Sequence, residues 1–127
     1  MSVVPPFALK DGVSTLGMHP RWFDVARLYY AIRKVAGIEV TAIITSAFRP
    51  ATDRLSFHPV GEAIDLRCKD IPPHLRSRVF ASFYAALKKL DFFYEPLWED
   101  DGSPNEHFHV EYDDPNGTRP VVREKAK

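Results

Sequence analysis

Ser56-Phe57-His58-Pro59-Val60-Gly61-Glu62-Ala63-Ile64-Asp65 and, further down the chain, Glu106-His107-Phe108-His109-Val110 are the two stretches on which the reading of this sequence turns. In the first, Ala63 to Cys68 sets Ala and Ile loosely against Asp and Arg, which reads as a half-buried strand carrying Asp65. His58 lies in the loop before it. Gly61 tolerates a positive φ, so the chain can turn there and bring His58 and Asp65 to one point. In the second stretch His107 and His109 are two residues apart, so on a strand both face one side. Together the stretches supply a His, a carboxylate and a second His, the nitrogen and oxygen set a catalytic zinc takes with one position left open. The spacing differs from the helical H-E-x-x-H arrangement, where i and i+4 do this work. The chemistry implied is metal-assisted hydrolysis.

Outward from these stretches the organisation is simple. His19-Pro20 opens a segment in which Trp22, Val25, Ala26, Leu28, Tyr29, Ile32, Val35 and Ala36 recur at helical spacing, with Gly37 placed to end it. Arg21, Asp24, Arg27, Arg33 and Lys34 fall largely on the other face. Val40 to Thr45 is a β-branched run that reads as a buried strand emptying into a loop at Ser46-Ala47-Phe48-Arg49-Pro50. Residues 50 to 61 read as loop. Pro72-Pro73 starts a second helix, where proline in the first turn loses no hydrogen bond, and Leu75, Val79, Phe83, Ala86, Leu87 and Leu90 make its apolar stripe. Phe92 to Trp98 and His107 to Tyr112 read as two further strands, joined by the acidic loop from Glu99 to Asn105. The fold class expected is a small α+β domain, an antiparallel sheet with helices packed on one side and the site at the strand ends in a cleft of the sheet. A single domain is expected over 1–127, with its core at about 20–112, a Pro-rich lead-in and a frayed tail.

Composition narrows the function. At 127 residues, with 45% hydrophobic and 13% aromatic residues, the chain suits one globular domain that folds without staples. Seventeen basic residues balance seventeen acidic ones, so nothing in the charge supports nucleic-acid binding. Cys68 is the single cysteine, which excludes an internal disulfide and fits a reducing compartment. Three residues past Asp65, it falls on the opposite face of the strand and reads as a buried small hydrophobe rather than a ligand. The N-terminus shows no basic start followed by an apolar run, so no signal peptide is expected. No apolar stretch approaches the roughly 18 to 20 residues a bilayer span needs.

The pattern S-x-H-x-x-G-x-A-x-D followed by H-x-H resembles the zinc D,D-/L,D-peptidases of peptidoglycan. These are the M15-type, LAS-fold (Hedgehog-like) enzymes that include D-alanyl-D-alanine carboxypeptidases and many phage endolysins. Thr45-Ser46-Ala47-Phe48-Arg49-Pro50 is similar to the S-x-[YF]-R segment that closes the family's first core strand. The resemblance covers about residues 20 to 112, in the family's order. It implies that His58, Asp65 and His109 hold the zinc and that His107 stands near the scissile carbonyl without being a ligand. It places Glu106, three before His109, as the carboxylate that activates the attacking water. Arg49 would hold a substrate carboxylate or polarise the carbonyl, its planar fork being suited to a carboxylate, and Ser56 would hydrogen-bond nearby. One conflict is visible in advance. On a regular strand Glu106 and His109 face opposite sides, so the strand must begin at His107 or bulge there. His107, on the ligand's face, is the competitor as proton carrier.

The other candidates read as structural. His19 is expected as a helix N-terminal feature and His74 as exposed. Trp22 and the aromatics at 80, 83, 84, 92, 93 and 94 are expected in the core, with Trp98 there or walling the cleft. Glu99-Asp100-Asp101 reads as a solvated loop, since a calcium site needs more oxygens at ordered spacing. The function expected is a monomeric peptidase acting on peptidoglycan peptides without nucleic-acid or membrane partners, made in the cytoplasm and reaching the wall on phage lysis or from the virion. The alternative is a non-catalytic metal-binding or structural (phage virion) module on the same fold.

Overall fold

The structure, a computed structural model, describes residues 5–48 and 62–112. In chain order the elements are β1 (Phe7–Leu9), α1 (Arg21–Val35), β2 (Ala42–Phe48), β3 (Ala63–Arg67), α2 (Pro73–Leu90), β4 (Tyr94–Glu99) and β5 (His107–Tyr112). The five strands form one sheet in the order β1-β2-β3-β5-β4. The architecture is α+β, with one correction to the sequence reading: the sheet is mixed. β1 pairs parallel to β2, while every other neighbouring pair is antiparallel. The reason is α1, which lies between β1 and β2 and supplies the crossover that a parallel pair needs. The lead-in is therefore part of the sheet, tied by Ala42 N–H to Pro6 O at 3.1 Å and Lys10 N–H to Ile44 O at 2.9 Å.

Both helices pack on one face. Inward-facing Ile44, Ile64, Leu66, Phe108 and Val110 from the strands join Trp22, Val25, Ala26 and Tyr29 of α1 and Val79, Phe83 and Leu87 of α2 in one core. Phe108 is its centre at β5, with rings at 5.0 Å (Phe80), 5.6 Å (Trp98) and 5.9 Å (Tyr29). Because side chains alternate along a strand, a Phe108 pinned inward obliges His107 and His109 to emerge on the other face. Truncating such a buried aromatic to Ala typically costs about 3–5 kcal/mol, so this orientation is strongly held.

Helix α1 is closed at both ends by named groups. At its start the Glu62 carboxylate accepts from His19 N–H at 3.0 Å and from the Trp22 indole at 2.8 Å, an anion placed where the helix dipole favours one. His19 Nδ1 accepts from Arg21 N–H at 3.0 Å, consistent with a helix-start role. At its end Ile38 N–H bonds Arg33 O at 2.8 Å and Gly37 N–H bonds Lys34 O at 3.0 Å, a Schellman turn whose φ of +92° at Gly37 suits glycine.

Three details differ from the sequence reading. Arg33 lies on the Tyr29 side of α1, fully buried, paired to Asp70 at 2.8 Å and 5.0 Å above the Tyr29 ring, so a compensating charge lets it sit in the apolar stripe. Phe83 and Tyr94 are core, but Tyr84, Phe92 and Phe93 are exposed. β2 runs through Phe48 rather than ending at Thr45, with a bulge between Ile44 and Ser46 that sets Ser46 opposite Asp65. Among the described residues no helix is long and apolar enough to cross a membrane.

Candidate metal centre

The face of the sheet away from the helices is polar where β3, β5 and β4 meet. Asp65, His109 and Leu97 are register partners across the three strands, and Arg67, His107 and Glu99 form the next row. The site therefore stands on the sheet face opposite the helices, and among the described residues it is built mainly from strand positions. Rigid strands hold side chains more precisely than loops do.

Asp65, Glu99, His107 and His109 can each offer one ligand atom such that all four lie within 4.8 Å of one another. His109 Nδ1 donates to Asp65 Oδ1 at 2.6 Å, and its Nε2 donates to Glu111 Oε1 at 3.1 Å. His107 Nε2 donates to Glu99 Oε1 at 2.8 Å and lies 3.6 Å from Asp65 Oδ1, while its Nδ1 donates to Asn105 O at 2.5 Å. All four side chains are partly shielded, Asp65 and His109 most of all.

Electrostatics follow from this geometry. Burial by itself would lower the His109 pKa, but the hydrogen bonds to Asp65 and Glu111 and the nearby carboxylate charges outweigh it and push the ring up to about 10. His107 is shifted the same way: burial opposes, while the Asn105 carbonyl, Glu99 and Asp65 win. Protons on the imidazoles offset part of the charge of Asp65, Glu99 and Glu111. A divalent cation can replace those protons, since the donors are imidazole nitrogens and carboxylate oxygens already converging on one point. Among the described residues this donor set could hold a metal ion.

Of the residues singled out in the sequence, the structure brings Asp65, His107 and His109 together. His58, Ser56 and Arg49 lie outside the described residues. Glu106 is close in the chain but differently employed. β5 begins at His107, and Glu106 is 5% exposed, with Oε1 accepting from Arg76 at 2.9 Å and Oε2 from the Trp98 indole at 2.8 Å. Burial favours its neutral form, but the bonds from Trp98 and the Gly102 backbone, with the Arg76 charge, hold it below the ordinary carboxylate range. It nevertheless borders the same cleft, a space of about 770 Å³ also lined by Ser46, Asp65, Arg67 and His107. Trp98 faces the core side, its ring 5.8 Å from Phe80. Cys68 is fully buried, and burial pushes its thiol up to about 12, which leaves it inert at neutral pH.

Glu99 and Glu111 are the residues the sequence reading missed. Glu99 is the last residue of β4 rather than the first of a loop, and Glu111 stands beyond His109 on the same face of β5. A signal was present: Glu95, Leu97 and Glu99 alternate with Tyr94, Pro96 and Trp98 straight through the strand's end. Comparison with known protein families, with curated proteins and with solved structures gives no match to this chain.

Proposed function

We propose that this chain is a zinc-dependent peptidase that cleaves a peptide bond in peptidoglycan stem peptides or cross-links, on a LAS-type fold. One observation carries the reading. Asp65 and His109, chosen from two distant motifs as metal ligands, meet at 2.6 Å on one sheet face with His107 beside them. Convergence of titratable groups from separate motifs, lining a cleft, is the pattern that marks functional sites. Asp65 and His109 hold the metal, His58 completes the set by the resemblance, and Arg49 and Ser56 engage the substrate. When bound, the metal supplies a Lewis acid that polarises a carbonyl and brings the pKa of water from 15.7 to about 7.

The chain's own groups do the rest. His107, fixed by Glu99 and Asn105, faces the cluster and can hold or deliver a proton at the scissile carbonyl. The resemblance points to Glu106, three residues before His109, as the base, but with its oxygens taken by Arg76 and Trp98 the proton falls to His107. The occupied state of both Glu106 oxygens favours a second reading, a metal-binding module without turnover. Metal analysis together with hydrolysis of purified peptidoglycan separates the readings. The peptidase should hold close to one zinc per chain and release new amino termini from the wall. Zinc bound at one equivalent with no product would establish the non-catalytic module, and no zinc uptake would sink both. Release from the producing cell by phage lysis, or delivery with the virion, belongs to the same proposal.

A further inference from the structure

The charges lining the cleft are unequally satisfied. Three of its acids already have basic partners within the fold: Asp65 has His109 at 2.6 Å, Asp70 has Arg33 at 2.8 Å and Glu106 has Arg76 at 2.9 Å. The fourth, Asp100, is exposed to water in the turn after β4. Its cations are in the opposite condition. Lys10, Arg67 and Lys69 line the same space, and among the described residues none of them pairs with a carboxylate. Lys69 Nζ donates to the Pro104 carbonyl, and Arg67 and Lys10 make no side-chain hydrogen bond among the described residues. The cleft thus holds three cations that no carboxylate among the described residues pairs with.

The placement of Arg67 gives those cations a use. It is the register partner of His107, one row along β3 from the Asp65–His109 pair, and it is half-buried on the cluster's face. An arginine at a half-buried strand position, with no acid partner among the described residues, is suited to take oxygens from a ligand. Lys10 follows β1, and the bulged Thr45 and Ser46 of β2 border the same space. Together they form a cationic wall within reach of a ligand bound at the metal centre.

We infer that Arg67, supported by Lys10 and Lys69, is a carboxylate anchor that makes this site selective for acidic peptides, holding a free carboxylate that flanks the bond to be cut. This deepens the peptidase reading and rests on it for the substrate, while the anchor is additional to Arg49. A planar fork can take a carboxylate with two parallel N–H···O bonds, and the neighbouring lysines add charge without demanding geometry. Such a wall orients the peptide and discriminates against its amidated forms.

The test is a binding measurement that needs neither metal nor turnover. Chelator-treated protein is titrated by calorimetry with the peptide L-Ala-γ-D-Glu-L-Lys-D-Ala-D-Ala, with its C-terminal carboxamide and with its D-Glu α-carboxamide. One of the two amides should bind about tenfold to a hundredfold more weakly, the range for a lost charge-assisted pair. Arg67→Gln should lose the same factor on the acid and nothing further on that amide, and Arg67→Lys should recover part of it. Equal affinity for all three peptides overturns the anchor, as does an Arg67→Gln loss identical for acid and amide. Displacement by inorganic phosphate at an affinity matching the peptide's would overturn the assignment to a peptide carboxylate. If Arg67→Gln fails to fold, Lys10→Gln at its exposed position carries the same comparison, with a smaller loss confined to the acid. Tight, carboxylate-dependent binding without hydrolysis once zinc is restored would instead sink the peptidase reading and leave the anchor standing.

Discussion

Replacing Glu106 by Gln separates two uses of one carboxylate. Its oxygens accept from Arg76 at 2.9 Å and from Trp98 at 2.8 Å, in a pair whose side chains are only 3% (Glu106) and 16% (Arg76) exposed. Gln retains an acceptor for one donor but removes the charge opposite Arg76. Arg76 keeps its bonds to Ile71 O at 2.8 Å and Lys69 O at 3.2 Å, so it is not stripped of partners. The loss is then the charge-assisted part of the pair, about 1–2 kcal/mol, while Glu106→Ala should approach the roughly 3–5 kcal/mol of a broken buried ion pair. With an unfolding entropy of about 2.1 cal/mol/K per residue, a chain of this length loses about 4 °C of Tm per kcal/mol. The expected falls are about 4–8 °C for Glu106→Gln and about 11–19 °C for Glu106→Ala. In the double variant Arg76→Met/Glu106→Gln the two effects should couple by about 1 kcal/mol or more. With zinc content checked and assays run well below melting, Glu106→Gln should keep kcat within about tenfold, whereas His107→Ala should lose about 10²–10⁴. A Glu106→Gln protein that melts like wild type, holds zinc and has lost 10² or more in kcat would refute this reasoning and return the base to Glu106.

Two further outcomes test the centre. Asp65→Asn and His109→Ala should each weaken zinc binding by at least tenfold with the fold retained by circular dichroism, while Cys68→Ala leaves the affinity unchanged; wild-type affinity in either of the first two removes that residue from the site. For the metal-free protein, His109 has a folded-state pKa of about 10 against about 6.5 when unfolded. Its contribution is fully present below about pH 6.5 and is lost as pH rises through about 10, so Tm should fall across that window. Zinc affinity should rise over the same window, because the metal must displace the proton. Parallel Tm curves for wild type and His109→Gln would show that His109 is not the group responsible.

How much was legible beforehand follows from what each pattern encodes. The 3.6-residue recurrence from Trp22 to Ala36 and from Leu75 to Leu90 is a local property, and both helices formed where it runs. The alternation His107, Phe108, His109, Val110 likewise placed both histidines on one face, and burial of Phe108 and Val110 is the cause. The conflict between Glu106 and His109 was also readable from the period of two.

Partners were not readable, because register is a relation between strands. Nothing near Glu99 says that it will stand opposite His107, and nothing near Glu106 announces Arg76 on α2. β1 escaped notice because three residues carry too little periodicity, and only the α1 crossover makes them a parallel neighbour of β2. By itself the chain determined both helices, four of the five strands, most of their inward positions and the residue types able to hold a metal, since these depend on spacing along one segment. Tertiary structure alone decided which carboxylates meet the two histidines and which are neutralised by arginines elsewhere. Coulombic and hydrogen-bond energies depend on distances between segments that only packing of the core sets.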